Sequence, residues 1–276
     1  MAKIHSTAVV DPKAELADDV EVGPFCVIEP EVKIGRGTCL RAHVVIRRYT
    51  TIGRGNIIDP FTVLGGDPQD YKFDSAQVSY LRIGDENIFR ECVTISRATG
   101  AGKSTIVGNK TMWMAYSHAG HNAVVEDEAI LVNGAAVGGH AVLGQKAILS
   151  GHVMVHQYTW IGRMVMTQGN SGFSAHVPPY TLTAKINCVV GLNSVGLRRA
   201  PDLADEDRRQ IKTAFSLTYR SGLSPAKALE KMDECTDWGE AAAAFRDFIR
   251  RVVTAEEPYN RGLCPLRRKA GWDWRC

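Results

Sequence analysis

The chain is predicted to fold as an all-β left-handed parallel β-helix, a hexapeptide-repeat solenoid, followed by a small α-helical C-terminal domain. Two observations predict the solenoid and a third predicts the helices. Stepping by six from Ile4 meets an aliphatic residue every time as far as Leu64, and the step resumes at Ile83, Phe89 and Ile95. It runs again from Val107, through Trp113 and Ala119, to Ile161. A period of six is neither helical nor a simple strand alternation, and it marks short strands joined by tight corners, three to a coil, with each aliphatic pointing inward. Glycine often follows the inward residue, as in Ile34-Gly35, Ile52-Gly53 and Leu143-Gly144, which is expected where a corner needs a conformation glycine reaches cheaply. After about residue 202 the six-residue step gives way to helical spacing.

Taken in order, residues 1–190 are expected to form the solenoid, with an excursion loop at 65–82. Leu64 and Ile83 are nineteen apart, one more than a full coil, so the register is expected to break there. The intervening Gly65-Gly66-Asp67-Pro68-Gln69-Asp70-Tyr71-Lys72 is polar and turn-rich and should loop outward. Val177-Pro178-Pro179-Tyr180 ends the repeats. Residues 191–255 are expected to be helical. Asp205 is expected to cap a helix carrying Ile211 and Phe215 that Gly222 stops, and Ser224-Pro225 reads as N-cap and first-turn proline of a second. A third helix around 239–253 carries Phe245, Phe248 and Ile249. Residues 256–276, with Pro258, Gly262, Pro265 and the basic Arg267-Arg268-Lys269, read as an extended arm whose basic cluster is a solvated tail.

Composition narrows the class. A net charge of +3 with no dense basic helix argues against a nucleic-acid partner. No apolar run approaches the ~20 residues that span a bilayer, so no membrane insertion is expected. The first repeat begins at once, leaving no room for a signal peptide in this reading. The seven cysteines form no C-x-x-C pair and read as reduced thiols. A cytoplasmic protein is the expectation. A three-faced prism suggests a three-fold arrangement, hence a homotrimer with sites in the clefts between subunits.

Five of the eight histidines lie between 118 and 156: His118, His121, His140, His152 and His156. An eighteen-residue coil stacks His121 under Gly139 and Gly139 under Gln157, each roughly 4.8 Å from the next. His140 stacks over Asn122 by the same rule. An imidazole beside a side-chain-free backbone N–H supplies a general base and a donor for developing negative charge, the two parts that acyl transfer to a hydroxyl needs. His152 and His176 read as structural or surface groups, and His5 and His43 lie too far along the prism. Two other readings stay open. One is a zinc site, which requires three imidazoles to converge across an interface. The other is a non-catalytic sugar-binding prism.

With these motifs placed, the chain resembles the acyl-ACP:UDP-N-acetylglucosamine O-acyltransferases, which carry out the first step of lipid A synthesis. The likeness runs to about residue 250. It is carried by Gly23-Pro24-Phe25-Cys26, Gln69-Asp70-x-Lys72, the run from Met114 through His118 to His121, Val155-His156-Gln157, Val177-Pro178-Pro179-Tyr180 and Tyr219-Arg220-Ser221-Gly222. The resemblance implies that His121 is the general base acting on the glucosamine 3-hydroxyl, and that Gly139 is the backbone donor to the oxyanion. The acyl donor is a 3-hydroxyacyl chain on acyl carrier protein. Gln69, Asp70, Lys72, His118, Asn122, His140, His156 and Gln157 match substrate contacts. Asn193 and Arg199 match groups at the nucleotide end, where arginine suits a diphosphate. Gly169 matches a position limiting acyl length. No metal or cofactor is implied. The chain departs from the family pattern at Asn122, where aspartate is usual, at Val195 for glutamate, at Ala200 for arginine, and at Ser96-Arg97-Ala98. A related nucleotide sugar, such as a 3-amino analogue that would give an amide, is the alternative acceptor.

Overall fold

The computed structural model describes residues 1–235 and 237–267. Two-residue strands build three flat faces. The first face starts with Lys3–Ile4, the second with Val9–Val10 and the third with Glu15–Leu16, and the sheets hold 11, 9 and 8 strands. Each strand pairs in parallel with the one a coil above, as in Lys3↔Glu21, Val9↔Val27 and Glu15↔Lys33. The second residue of each pair faces inward, and the column Ile28, Ile46, Leu64, Ile95, Ala119, Val137 is almost wholly buried. Each Val, Leu or Ile in it contributes about 1.5–3 kcal/mol on burial, and the core is a rod rather than a ball. The six-residue step therefore reports the fold directly. The first coil is the exception: Ile4 is 48% exposed, and Val10 and Leu16 are only partly buried.

The glycines that follow inward residues have a different cause from the one expected. The left-handed corner positions are filled mainly by other residues, among them Phe25, Asn122, His140 and Tyr158 at φ 58°, 60°, 58° and 62°. Gly35, Gly53 and Gly144 are absent from the positive-φ residues and are needed for space instead. A Cβ on Gly35 would stand 2.7 Å from the Gly53 carbonyl carbon, and one on Gly144 would stand 2.6 Å from the Arg163 nitrogen.

The break after Leu64 also differs from the expectation. Leu64 lies on the second face and Ile83 on the third, so no coil is skipped and the whole excursion leaves from one corner. A second insertion leaves the same corner one coil higher, between Thr94–Ser96 and Ser104–Val107. Buried Arg97 ties the two together. Its Nε donates to Asp67 Oδ1 (3.0 Å), and one terminal nitrogen donates to the Gln77 carbonyl (2.9 Å) and Ser79 Oγ (3.1 Å).

Beyond Val177-Pro178-Pro179-Tyr180, Thr181–Ala184 adds one more parallel strand to the first face, and Cys188–Leu192 closes it antiparallel. Among the described residues four helices follow: α1 (Ser194–Arg199), α2 (Asp205–Tyr219), α3 (Pro225–Asp233) and α4 (Glu240–Val253). The short α1 had no counterpart in the sequence reading. Asp205 does not cap α2. Ala204 holds that position, and its N–H donates to the Asp207 carboxylate at 2.8 Å. Ser224 does cap α3, with Pro225 in the first turn. Residues 256–267 turn back onto the solenoid, with bridges His176↔Leu263 and Val189↔Leu266. Arg268 and Lys269 of the basic cluster lie outside the described residues.

Candidate active site

Both insertions and most of the histidine cluster lie along one edge of the prism, where the second face turns into the third. The next three corners up this edge are Gly120–Ala123, Gly138–Ala141 and His156–Thr159, each set by its flanking strands. The eighteen-residue stack holds here: His140 N–H donates to the His121 carbonyl, and Tyr158 N–H to the Gly139 carbonyl, both at 3.0 Å.

His121 is held at one nitrogen. Its Nδ1 lies 2.9 Å from Asn122 Oδ1. That oxygen also accepts from the Thr99 N–H (2.9 Å) and the Thr99 hydroxyl (2.8 Å), while Asn122 Nδ2 donates to the Thr99 carbonyl (3.1 Å). The amide is thereby oriented with its oxygen toward the imidazole. An acceptor facing Nδ1 assigns the proton to Nδ1 and leaves Nε2 with a bare lone pair. Nε2 points at Gly139, where an added Cβ would stand 2.9 Å from it. A Cβ on Gly120 would likewise stand 2.9 Å from the Gly139 nitrogen. Both positions must be glycine for this geometry. Among the described residues, the Gly139 N–H meets no acceptor.

His140 stands edge-on to His121, with centroids 5.2 Å apart, and its ring is stacked on Tyr158 at 4.7 Å. Burial, then the neighbouring His121, hold the His140 pKa below the usual imidazole value; the Asp70 carboxylate acts the other way. Asp70 on the excursion loop is therefore close enough for its charge to be felt on this edge. It accepts the Lys72 N–H at 2.9 Å, and Gln69, Asp70 and Lys72 are all exposed. His118 lies on the second face with Nδ1 2.8 Å from the Thr94 hydroxyl, and burial lowers its pKa. His156 and Gln157 are exposed one coil above Gly139, with His156 Nδ1 3.1 Å from the Gln157 carbonyl.

The remaining candidates lie elsewhere in the chain. Gly169 sits on a different edge, between the first and second faces, where a Cβ would stand 3.3 Å from the Gly151 carbonyl oxygen. Asn193 is the N-cap of α1. Its Oδ1 accepts from the Gly196 N–H at 3.0 Å and its Nδ2 donates to the Met164 carbonyl at 3.1 Å. Arg199 is exposed in the last turn of α1. Sequence reasoning missed Thr99 and Tyr158. Tyr158 was within reach, since it lies eighteen residues above His140; Thr99 sits on an insertion that had not been recognised.

A hexapeptide prism bearing an imidazole with a free Nε2 beside glycine backbone on one edge defines a hexapeptide-repeat acyltransferase. Known proteins narrow this class. The profile of the UDP N-acetylglucosamine O-acyltransferase domain 2 family matches residues 176–264, and the bacterial transferase hexapeptide profile matches residues 13–48. An acyl-[acyl-carrier-protein]–UDP-N-acetylglucosamine O-acyltransferase of Syntrophobacter fumaroxidans is 41% identical over 83% of this chain and 90% of its own. One from Thermodesulfovibrio yellowstonii is 40% identical over 84% and 90%. The crystal structure of the Francisella novicida UDP-N-acetylglucosamine acyltransferase superposes with a TM-score of 0.88 at 34% identity, covering 96% of this chain and 95% of that one. The Moraxella catarrhalis UDP-N-acetylglucosamine O-acyltransferase gives 0.87 at 34%, covering 95% and 99%. The chain belongs to the acyl-[acyl-carrier-protein]–UDP-N-acetylglucosamine O-acyltransferase family.

Proposed function

We propose that this chain transfers a 3-hydroxyacyl group from acyl carrier protein to the 3-hydroxyl of UDP-N-acetylglucosamine, the first step of lipid A synthesis. The observation that carries the reading is the pairing of a free His121 Nε2 with the Gly139 backbone, in a chain whose relatives bear that activity's name. His121 Nε2 takes the proton of the sugar hydroxyl as its oxygen attacks the thioester carbonyl. Negative charge develops on the carbonyl oxygen, and the unpartnered Gly139 N–H is the donor that receives it. The tetrahedral intermediate collapses by breaking the carbon–sulfur bond, and the imidazolium returns its proton to the leaving thiolate. The products are the acylated sugar nucleotide and the free carrier-protein thiol. Neutral His140 next to His121 adds no charge that would oppose the imidazolium.

Asp70 and Lys72 on the excursion loop, with His118, His156 and Gln157, are assigned to substrate contact. Gly169, Asn193 and Arg199 are assigned to the acyl groove and nucleotide end, on other parts of the surface. A homotrimer accounts for that separation, since a neighbouring subunit can bring a second edge against the His121 edge. Its support is the outward column of the first face. There Lys3, Glu21 and Cys39 give way to Ile57, Ile88, Met112, Ile130 and Ile148, an apolar stripe that calls for cover. A cytoplasmic setting agrees with the six free cysteines among the described residues. Among those residues, no helix is long and apolar enough to cross a membrane.

The test is incubation of the purified chain with 3-hydroxyacyl-ACP and a panel of UDP-sugars that includes the 3-amino analogue, with products identified by mass spectrometry. Acylation of UDP-N-acetylglucosamine on oxygen is expected; acylation of the 3-amino analogue alone would replace this reading. Sedimentation decides the assembly, and a fully active monomer would remove the intersubunit site.

A further inference from the structure

Tyr259 belongs to no motif that the proposed reaction uses, yet it ends a continuous chain of ring contacts that begins at His121. His140 meets His121 edge-on at 5.2 Å, Tyr158 covers His140 in a parallel stack at 4.7 Å, and Tyr259 meets Tyr158 edge-on at 5.2 Å. Tyr259 is in turn stacked on buried Trp160 at 5.3 Å, whose other ring contacts are His176 at 4.1 Å and the Arg251 guanidinium at 3.7 Å. The segment carrying Tyr259 is fixed into the solenoid by its backbone. The His176 N–H donates to the Gly262 carbonyl and the Cys264 N–H to the His176 carbonyl, both at 2.8 Å, and the Arg267 N–H donates to the Val189 carbonyl at 2.7 Å.

His176 locks the junction. It is fully buried; its Nδ1 accepts from the Trp160 N–H at 3.0 Å, so its Nε2 carries the proton and donates to the Tyr259 carbonyl at 2.7 Å. Both imidazole nitrogens are thus committed to holding the backbone of Tyr259 beside Trp160. Tyr158, by contrast, sits at a half-buried corner, where its ring meets His140, Tyr259 and, at 6.0 Å, the Arg261 guanidinium.

We propose that Tyr259 is a positioning residue of the acyl-transfer site, which holds Tyr158 and, through it, fixes the His140 ring against His121. On this view the Tyr259 ring is part of the active edge, although 138 positions separate Tyr259 from His121 in the sequence. The proposal rests on the acyl-transfer reading of His121, but the ring contact can be tested apart from it.

The experiment compares the full-length parent with Tyr259→Ala, Tyr259→Phe and Leu266→Ala, the last a control that loosens the same segment without touching the rings. It reads kcat, KM for both substrates, the melting temperature and the ¹³Cε1–H resonance of His140 in histidine-labelled protein, assigned with His140→Gln. In Tyr259→Ala the His140 resonance is expected to move as the Tyr158 face shifts, and kcat to fall roughly tenfold with KM within about twofold of the parent. Tyr259→Phe restores both, and Leu266→Ala lowers the melting temperature while leaving kcat and the resonance in place. An unmoved His140 resonance in Tyr259→Ala overturns the proposal. So does a kcat loss in Leu266→Ala equal to that in Tyr259→Ala, which would mean a structural role only. A parent that transfers no acyl group defeats the functional reading instead, and the resonance still decides whether Tyr259 sets His140.

Discussion

Gly139 leaves open the space that Nε2 of His121 faces: a methyl group added at residue 139 would stand 2.9 Å from that nitrogen and 3.0 Å from the adjacent Cε1. The two shortest contacts are with the end of a movable side chain and the third, at 3.3 Å, is the His121 carbonyl oxygen, so Gly139→Ala should fold and assemble while turning the imidazole aside. Displacing a catalytic group by about 1 Å can cost ~10²-fold, and a loss of kcat/KM of that order is expected with the melting temperature little changed. Parental turnover in Gly139→Ala would show that His121 does not work against this backbone.

His121→Ala removes the proposed base. Such a loss typically lowers the rate ~10²–10⁴-fold, and the half-buried, outward imidazole carries little of the core. Steady-state assays with sedimentation of the same sample separate lost chemistry from lost assembly. Retention of more than about half the parent rate would move the base elsewhere.

Asn122→Asp tests the amide. A carboxylate beside the imidazole favours its protonated form. The proposed base acts in its unprotonated form, so the acidic limb of the kcat/KM profile should shift to higher pH. The carboxylate also loses the donor that Asn122 Nδ2 gives to the Thr99 carbonyl at 3.1 Å and sets two oxygens face to face. A destabilisation of about 1–3 kcal/mol is expected, readable as a lowered denaturant midpoint. Superimposable pH profiles would show that residue 122 does not tune His121.

Stability should fall on mild acidification. Burial is the leading cause that holds the pKa values of His118, His140 and His176 below the usual imidazole value. Below about pH 6.5 the unfolded chain binds these protons and the folded chain does not, until the folded values are reached. The stability present above that pH is therefore lost as pH falls through this window. His118→Gln should flatten the dependence of melting temperature between pH 7 and pH 5; an unchanged slope would place the titrating groups elsewhere.

How much of this could be read in advance depended on whether a signal was local. The inward column announced the solenoid because each aliphatic is set by its own coil. The stacking of His121, Gly139 and Gln157 was legible because no insertion falls between them. The insertion that carries Thr99 was hidden for an arithmetical reason: Ile95 and Val107 are twelve apart, a multiple of six, so the repeat stays in phase across it. Thr99 was lost with it, and with Thr99 the reason Asn122 faces as it does. Helix α1 has a single buried residue, Leu197, and so shows no apolar period. Tyr259 reaches Trp160 and Tyr158 through a segment that returns from beyond the helices, and no local pattern encodes such a return.

The exposed first coil has a consequence of its own. Each coil touches only its neighbours, so the rod behaves as a row of coupled units rather than one cooperative globule. The first coil is the least buried, with Ile4 48% exposed, and the far end is closed by the antiparallel Cys188–Leu192 strand and the returning C-terminal segment. Opening should therefore be directional, unspooling from the N-terminus. Amide hydrogen exchange should form a gradient, fast at Val9–Val10 and slowest near Val137 and Val155. The edge proposed for catalysis sits on the slow side of that gradient, where thermal fraying reaches it last.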